Sequence, residues 1–153
     1  MRLWHKDMIP YLPKQQLLGQ WRECCLIAGL LAKDHTPNHI LVNPITEYQP
    51  DDFEIYCAII YHEMEKRGFK VAEEVCKKLE LDFRAYRLYL DSELPPWNCF
   101  CKDFQVDTDE PIFQEWHTKR YLNQCYYNLE EKYDRGGIPQ DEWLIIFANF
   151  GGV

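Results

Sequence analysis

An arginine and a glutamate stand side by side at Arg22-Glu23, inside a segment whose apolar residues recur at helical spacing from 14 to 33. Leu17, Leu18, Trp21, Cys24, Cys25 and Ala28 fall on one arc of such a helix, and Gln15, Gln16, Gly19, Arg22 and Glu23 on the opposite arc. The pair therefore projects from a helix whose other face is anchored in a core. These residue types suit anion binding and proton transfer. By periodicity alone, however, an Arg–Glu pair on a polar face is ordinarily a solvated surface. Beyond residue 25 the helix is apolar nearly all round, through Leu26, Ile27, Leu30 and Leu31, which predicts deep burial of that half.

Other reactive types fall into weaker patterns. Cys99, Cys101, His117 and Cys125 lack the paired CxxC spacing of a zinc site and read as ordinary thiols and a structural histidine, so no metal is expected. His62-Glu63 is not followed by the second histidine of an HExxH motif, and Pro37 separates His35 from His39. No glycine-rich phosphate loop is present, and no cofactor is expected. The loop Pro95-Pro96-Trp97-Asn98-Cys99-Phe100 has the composition of an aromatic wedge for a base stack, although aromatics in a loop more often cover a core.

The elements that must position these residues are helical. Residues 51–67 repeat Phe53, Tyr56, Cys57, Ile60, Tyr61 and Met64 at helical spacing, with Asp51 and Asp52 at the start and Gly68 past the end. Residues 70–80 predict a short helix with Ala72, Val75, Cys76 and Leu79 inward and Glu73/Lys77 and Glu74/Lys78 paired outside, followed by a break and a further helix over 82–91. Residues 92–111 read as an irregular loop. A long helix is predicted over 112–134, with Leu122, Tyr126, Leu129 and Tyr133 on one stripe, and a last one from Pro139 that buries Trp143, Ile146, Phe147 and Phe150. The one strand-like stretch is Ile40-Leu41-Val42, soon stopped by Pro44. The expected fold is all-α: a compact single-domain helical bundle over residues 1–153, built around the N-terminal helix.

Composition supports this. With 46% hydrophobic and 15% aromatic residues in 153, the chain can bury a core without staples. Seven cysteines, an odd number with several on apolar faces, fit free thiols in a reducing compartment. There is no membrane-length apolar run and no signal-peptide pattern, so a cytoplasmic protein with no membrane partner is expected. A net charge of −8 opposes general nucleic-acid binding, but residues 1–40 carry five basic against three acidic side chains. Any contact with DNA should lie near the N-terminus.

The N-terminal segment carries a resemblance. Met1-Arg2-Leu3-Trp4, followed by Leu12-Pro13-Lys14-Gln15-Gln16-Leu17-Leu18-Gly19-Gln20-Trp21-Arg22-Glu23, resembles the pyrimidine-dimer DNA glycosylase/AP-lyase family, which includes a phage endonuclease. Glu65-Lys66-Arg67-Gly68-Phe69-Lys70 is similar to the end of a later family helix, and the remainder looks like a bacterial branch. The resemblance implies damaged double-stranded DNA as partner and the terminal α-amine, here that of Met1, as nucleophile. An α-amine has a pKa of about 7.7–8.0, so part of it is neutral near pH 7. It also implies Glu23 as the carboxylate that stabilises the cationic imine, Arg2 and Arg22 as phosphate contacts, and Gln15 near the damaged backbone. The chain departs from the family pattern where Arg2 follows Met1 and disfavours methionine removal, where Gln16 replaces a histidine, where Leu26 replaces a second arginine, and in its acidity.

Two functions follow: base excision with AP-lyase strand cleavage, or a non-enzymatic domain that kept the scaffold and uses its acidic surface for protein association, with a partner the sequence does not identify. The charge distribution makes a prediction for either. Binding to undamaged duplex should be weak, with a plot of log K against log[salt] no steeper than about −4, the slope for four to five phosphates. Fluorescence anisotropy across a salt series measures this, and a markedly steeper slope would reveal a basic surface not visible in the sequence.

Overall fold

The structure, a computed structural model, describes residues 1–94 and 109–152. The wedge-like loop at 95–100, with Cys99 and Cys101, lies outside the described residues. Five α-helices account for most of the rest: α1 (Lys14–Asp34), α2 (Pro50–Lys66), α3 (Glu73–Tyr89), α4 (Lys119–Asp134) and α5 (Gln140–Phe150), with 3-10 turns at Lys6–Tyr11 and Asn43–Glu47. No strand occurs among the described residues, so the fold is all-α. Residues 40–42 form a turn instead of the strand their composition suggested, because hydrogen bonds from Val42 and Asn43 back to the His39 carbonyl close the chain locally.

The first helix packs on both α2 and α3. The second is the most enclosed: Phe53, Tyr56, Cys57, Ile59 and Ile60 are buried, and both 3-10 turns pack against it. The third is one continuous helix and not two, since nothing between 80 and 82 removes a backbone donor or forces a positive φ. Its buried stripe is Cys76, Leu79, Phe83 and Tyr86, while Ala72 and Val75, expected inside, are exposed. Lys78 pairs with Asp82 at 2.7 Å in place of Glu74, whereas the expected Glu73–Lys77 pair forms. The long helix expected from 112 begins only at Lys119, where the Thr118 hydroxyl accepts from the Tyr121 amide and caps it. In α5, Trp143 and Ile146 are buried but Phe147 is exposed.

Helix ends set the geometry around the N-terminus. Gly68, at φ 85°, closes α2 with the paired bonds Phe69 N to Met64 O and Gly68 N to Glu65 O. That tight end projects Arg67 backward. Its guanidinium donates to the carbonyls of Leu12 (2.7 Å), Pro10 (3.1 Å) and Ile9 (3.3 Å) while its Nε holds Glu63 at 2.8 Å. The Lys66-Arg67-Gly68-Phe69 sequence thus clamps the 3-10 turn that leads into α1. At the other end of α1, His35 adopts φ 64° and stacks flat on Tyr89 with centroids 3.5 Å apart, tying α1 to the end of α3.

The clamp yields a prediction. Arg67→Met keeps the aliphatic packing but leaves the three carbonyls without this charged donor, and should cost about 2 kcal/mol. The Tm should fall by roughly 5 °C in differential scanning calorimetry. An unchanged Tm would show that the clamp holds nothing in solution.

Candidate active site at the N-terminus

The site is built on a polar residue that helical periodicity places among apolar ones. Gln20 lies within the buried arc of α1, between Leu17, Cys24 and Ile27, and is 1% exposed. A buried carboxamide needs partners for both its oxygen and its nitrogen, and Gln20 finds them in the N-terminal segment. Its Oε1 accepts from the Trp4 amide at 2.7 Å and from the Tyr56 hydroxyl at 2.9 Å; its Nε2 donates to the Arg2 carbonyl at 2.9 Å and to Glu23 Oε2 at 3.4 Å. The side chain serves the segment as an adjacent β-strand would, bonding one residue's C=O and another's N–H. The Trp4 carbonyl lies 2.7 Å from the same Tyr56 hydroxyl, whose one proton is shared between it and Gln20 Oε1, and the Tyr121 hydroxyl donates to the Leu3 carbonyl.

Glu23 stands one turn further along α1, at the rim of this arrangement. Its Oε2 accepts from the Arg2 backbone amide at 3.3 Å as well as from Gln20. Adjacent backbone nitrogens are at most about 3.6 Å apart, so the Met1 nitrogen lies within about 7 Å of the Glu23 carboxylate. Arg22 and Gln15 go elsewhere. Successive helical positions differ by about 100°, so Arg22 turns away from Glu23, and with Gln15 it lies on an exposed stripe of α1. Met1, Arg2 and Glu23 are thus gathered at one place, with Arg22 and Gln15 on the neighbouring face. Leu26, expected to be buried, is 53% exposed and lines a groove between α1 and α3. Cys25, expected on the core arc, is only partly buried there.

The Arg2 side chain points the other way, toward α4. It lies over the Trp4 ring at 5.5 Å and donates to Asn128 Oδ1 at 3.3 Å. There it borders an open cleft of about 440 Å³, with Trp116, Arg120, Tyr121 and Gln124 on the α4 side and Ile40 and Leu41 on the facing turn. Sequence reading missed Gln20, Tyr56, Arg120 and Tyr121. Gln20 alone had a sequence signal, a polar residue in the middle of an apolar stripe.

Beneath the segment lies a histidine pair. His5 and His117 stack with centroids 5.0 Å apart. His5 Nδ1 accepts from the Asp7 amide at 3.1 Å, so its proton sits on Nε2, which donates to the His117 carbonyl at 2.9 Å. His117 Nδ1 accepts from the Lys6 amide at 3.1 Å, which puts its proton on Nε2, a buried atom with no hydrogen-bond partner among the described residues. Both rings are neutral in this arrangement. Burial pushes His117 down to about 3, with Lys6, and His5 when it is protonated, adding to it, and burial also lowers His5. His117 is therefore structural, and the described residues hold no cluster of His, Cys, Asp and Glu suited to a metal.

A family model described as pyrimidine dimer DNA glycosylase matches residues 1–76, about half of the chain. The chain belongs to that family. The match covers the terminal segment, α1, α2 and the Arg67 clamp. Membership implies pyrimidine dimer DNA glycosylase function, with DNA as the substrate. No curated protein and no solved structure matches the chain. Met1, Arg2 and Glu23 lie in the family-matched half, while Tyr121, Arg120 and Asn128, which line the cleft with Arg2, come from beyond it. Among the described residues no helix is long and apolar enough to cross a membrane. Cys24, Cys25, Cys57, Cys76 and Cys125 are free thiols, as expected.

The histidine pair predicts a pH dependence. The folded pKa values lie below the unfolded value of about 6.5, so the unfolded chain takes up protons first, and stability falls as pH drops below that value. Each histidine contributes about 1.4 kcal/mol per pH unit inside its window, which for His117 extends toward pH 3. His117→Asn, which can still accept from the Lys6 amide, should remove one histidine's share of the slope in urea melts at pH 4.5–6.5. A His117 ring that titrates near pH 6.5 by NMR would contradict its burial.

Proposed function

We propose that this protein is a DNA glycosylase with AP-lyase activity that acts on damaged double-stranded DNA through the α-amine of Met1. The observation that carries the reading is the bond between the Arg2 amide and Glu23, which keeps the first peptide unit, and with it the amine, beside a carboxylate. The neutral amine attacks C1′ of the damaged nucleotide with its lone pair. The C1′–N glycosidic bond breaks, and the base leaves with that electron pair and takes a proton. The amine then gives up a proton, its lone pair forms the C1′=N bond as the C1′–O4′ pair goes to O4′, and O4′ takes up that proton as a hydroxyl, which leaves a cationic imine between Met1 and the sugar. Loss of a C2′ proton drives out the 3′ phosphate by β-elimination, and water later releases the enzyme.

Glu23 stabilises the cation and relays protons in this scheme. Arg2 and Arg22 hold phosphates on either side of the terminus, with Gln15 on the Arg22 stripe next to the strand. The whole chain acts as one domain, because Tyr121 and His117 complete the support of the terminal segment from outside the family-matched half. The location that goes with this reading is cytoplasmic, where buried thiols such as Cys24 and Cys57 stay reduced.

Borohydride reduces an imine to a stable amine and so records the nucleophile. Untagged protein, its Met1 verified by intact mass, should give a covalent adduct on abasic duplex, and an N-terminally extended or acetylated form should give none while keeping its circular dichroism. Glu23→Gln should fold and lose roughly 100-fold in strand cleavage, within the range of a positioned acid–base group. Equal trapping by tagged and untagged protein would remove the terminal amine as nucleophile. Absence of trapping by the untagged protein would favour the non-enzymatic alternative.

A further inference from the structure

The terminal segment is fixed from its third residue onward. Leu3 is fully buried, and the backbone of residues 2–4 is bonded to Gln20, Tyr56 and Tyr121. The amine therefore cannot reach far into a duplex, so the duplex must be deformed to bring C1′ to it. A duplex opened in this way needs something apolar to occupy the gap.

The turn across the cleft from Arg2 presents such a group. Ile40 is 82% exposed and Leu41 47% exposed at its tip. Single exposed apolar side chains are common and mean little. These two differ in sitting on a turn whose shape is set by its own hydrogen bonds. The Asn43 carboxamide oxygen accepts from the His39 amide at 3.0 Å, the Leu41 amide donates to His39 Nδ1 at 3.3 Å, and the Thr36 hydroxyl accepts from the Asn38 amide at 3.3 Å. On either side of the tip, Pro37, Val42 and Ile45 are buried. The turn spends its polar groups on its own shape and directs Ile40 and Leu41 outward, on the rim of a cleft that Arg2 and Arg120 also line. Among the described residues, Glu115 is the one acidic residue lining that cleft.

We propose that Ile40 and Leu41 form a wedge that enters the base stack of duplex DNA beside the lesion, with Arg2 and Arg120 on the flanking phosphates. The wedge rests on the functional reading above. It fills the space vacated by the displaced nucleotide and holds the sugar against the terminus. It is a positioning device and touches no reacting atom, so it matters for a stacked duplex and much less for a single strand, which has no stack to part.

The test uses the full chain and two abasic oligonucleotides, one duplex and one single-stranded, the duplex carrying 2-aminopurine next to the abasic site. Binding of the wild type should raise 2-aminopurine fluorescence as the base unstacks. The double variant Ile40→Ala/Leu41→Ala should lose that rise, and its ratio of duplex to single-strand borohydride trapping should fall roughly tenfold. Leu88→Ala, on another exposed leucine, in α3 and away from the cleft, should keep the wild-type ratio. A double variant with the wild-type ratio and fluorescence rise overturns the wedge, as does equal loss on both substrates. If the wild type self-associates and the double variant does not, the turn is a contact between copies and the proposal fails. A wild type that traps neither substrate overturns the functional reading, and the wedge is then decided by the 2-aminopurine signal alone.

Discussion

The arrangement around the terminus depends on the carboxamide of Gln20. It is buried in the apolar arc of α1, and each of its hydrogen-bonding atoms is engaged, three of the four bonds at 2.7–2.9 Å. A buried amide left unpaired is costly, so the segment that satisfies it is held in one register. That register sets the Arg2 amide on Glu23 and directs the Arg2 guanidinium into the cleft. Tyr56 joins the same network from α2, which makes placement of the terminus a property of two helices and not of a loose end.

The rest of the molecule braces this junction. From α2, Arg67 holds the carbonyls of the turn that carries the chain from the terminal segment into α1. From the region before α4, His117 supplies an acceptor to Lys6 and a carbonyl to His5. A second ionic network sits further off: Arg87 of α3 pairs with the buried Glu54 and the partly exposed Asp51 of α2. Removing one partner there would strand a buried charge, so the α2–α3 contact is sensitive to single changes. All these devices join segments distant in sequence to the first dozen residues or to the helices beneath them.

The acidic character of the chain acquires a local meaning in this setting. The overall charge is −8, yet the residues on the faces next to the terminus include Arg2, Arg22 and Arg120. Few cations mean few counterions released from a duplex, so phosphate contacts alone add little affinity. Leu26, which replaces an arginine of the family pattern, opens its side chain onto the groove between α1 and α3.

Periodicity alone determined the helical class and four of the five helices to within a few residues at most ends, because an apolar stripe at spacing three and four has one way to be buried. It also placed Glu23 and Arg22 on the polar side of α1. Resemblance in the first residues added the terminal amine as the expected nucleophile. Tertiary structure decided the rest. Whether α3 was one helix or two turned on the absence of any local breaker, and the start of α4 at Thr118 on a single cap. Glu23 faces the terminus and Arg22 does not, because Gln20 draws the N-terminal backbone to one side of α1. Partners such as Tyr121, more than a hundred residues from Leu3, leave no trace in local spacing. They are joined by the need to pair buried polar groups, and that need is satisfied only once the chain has folded.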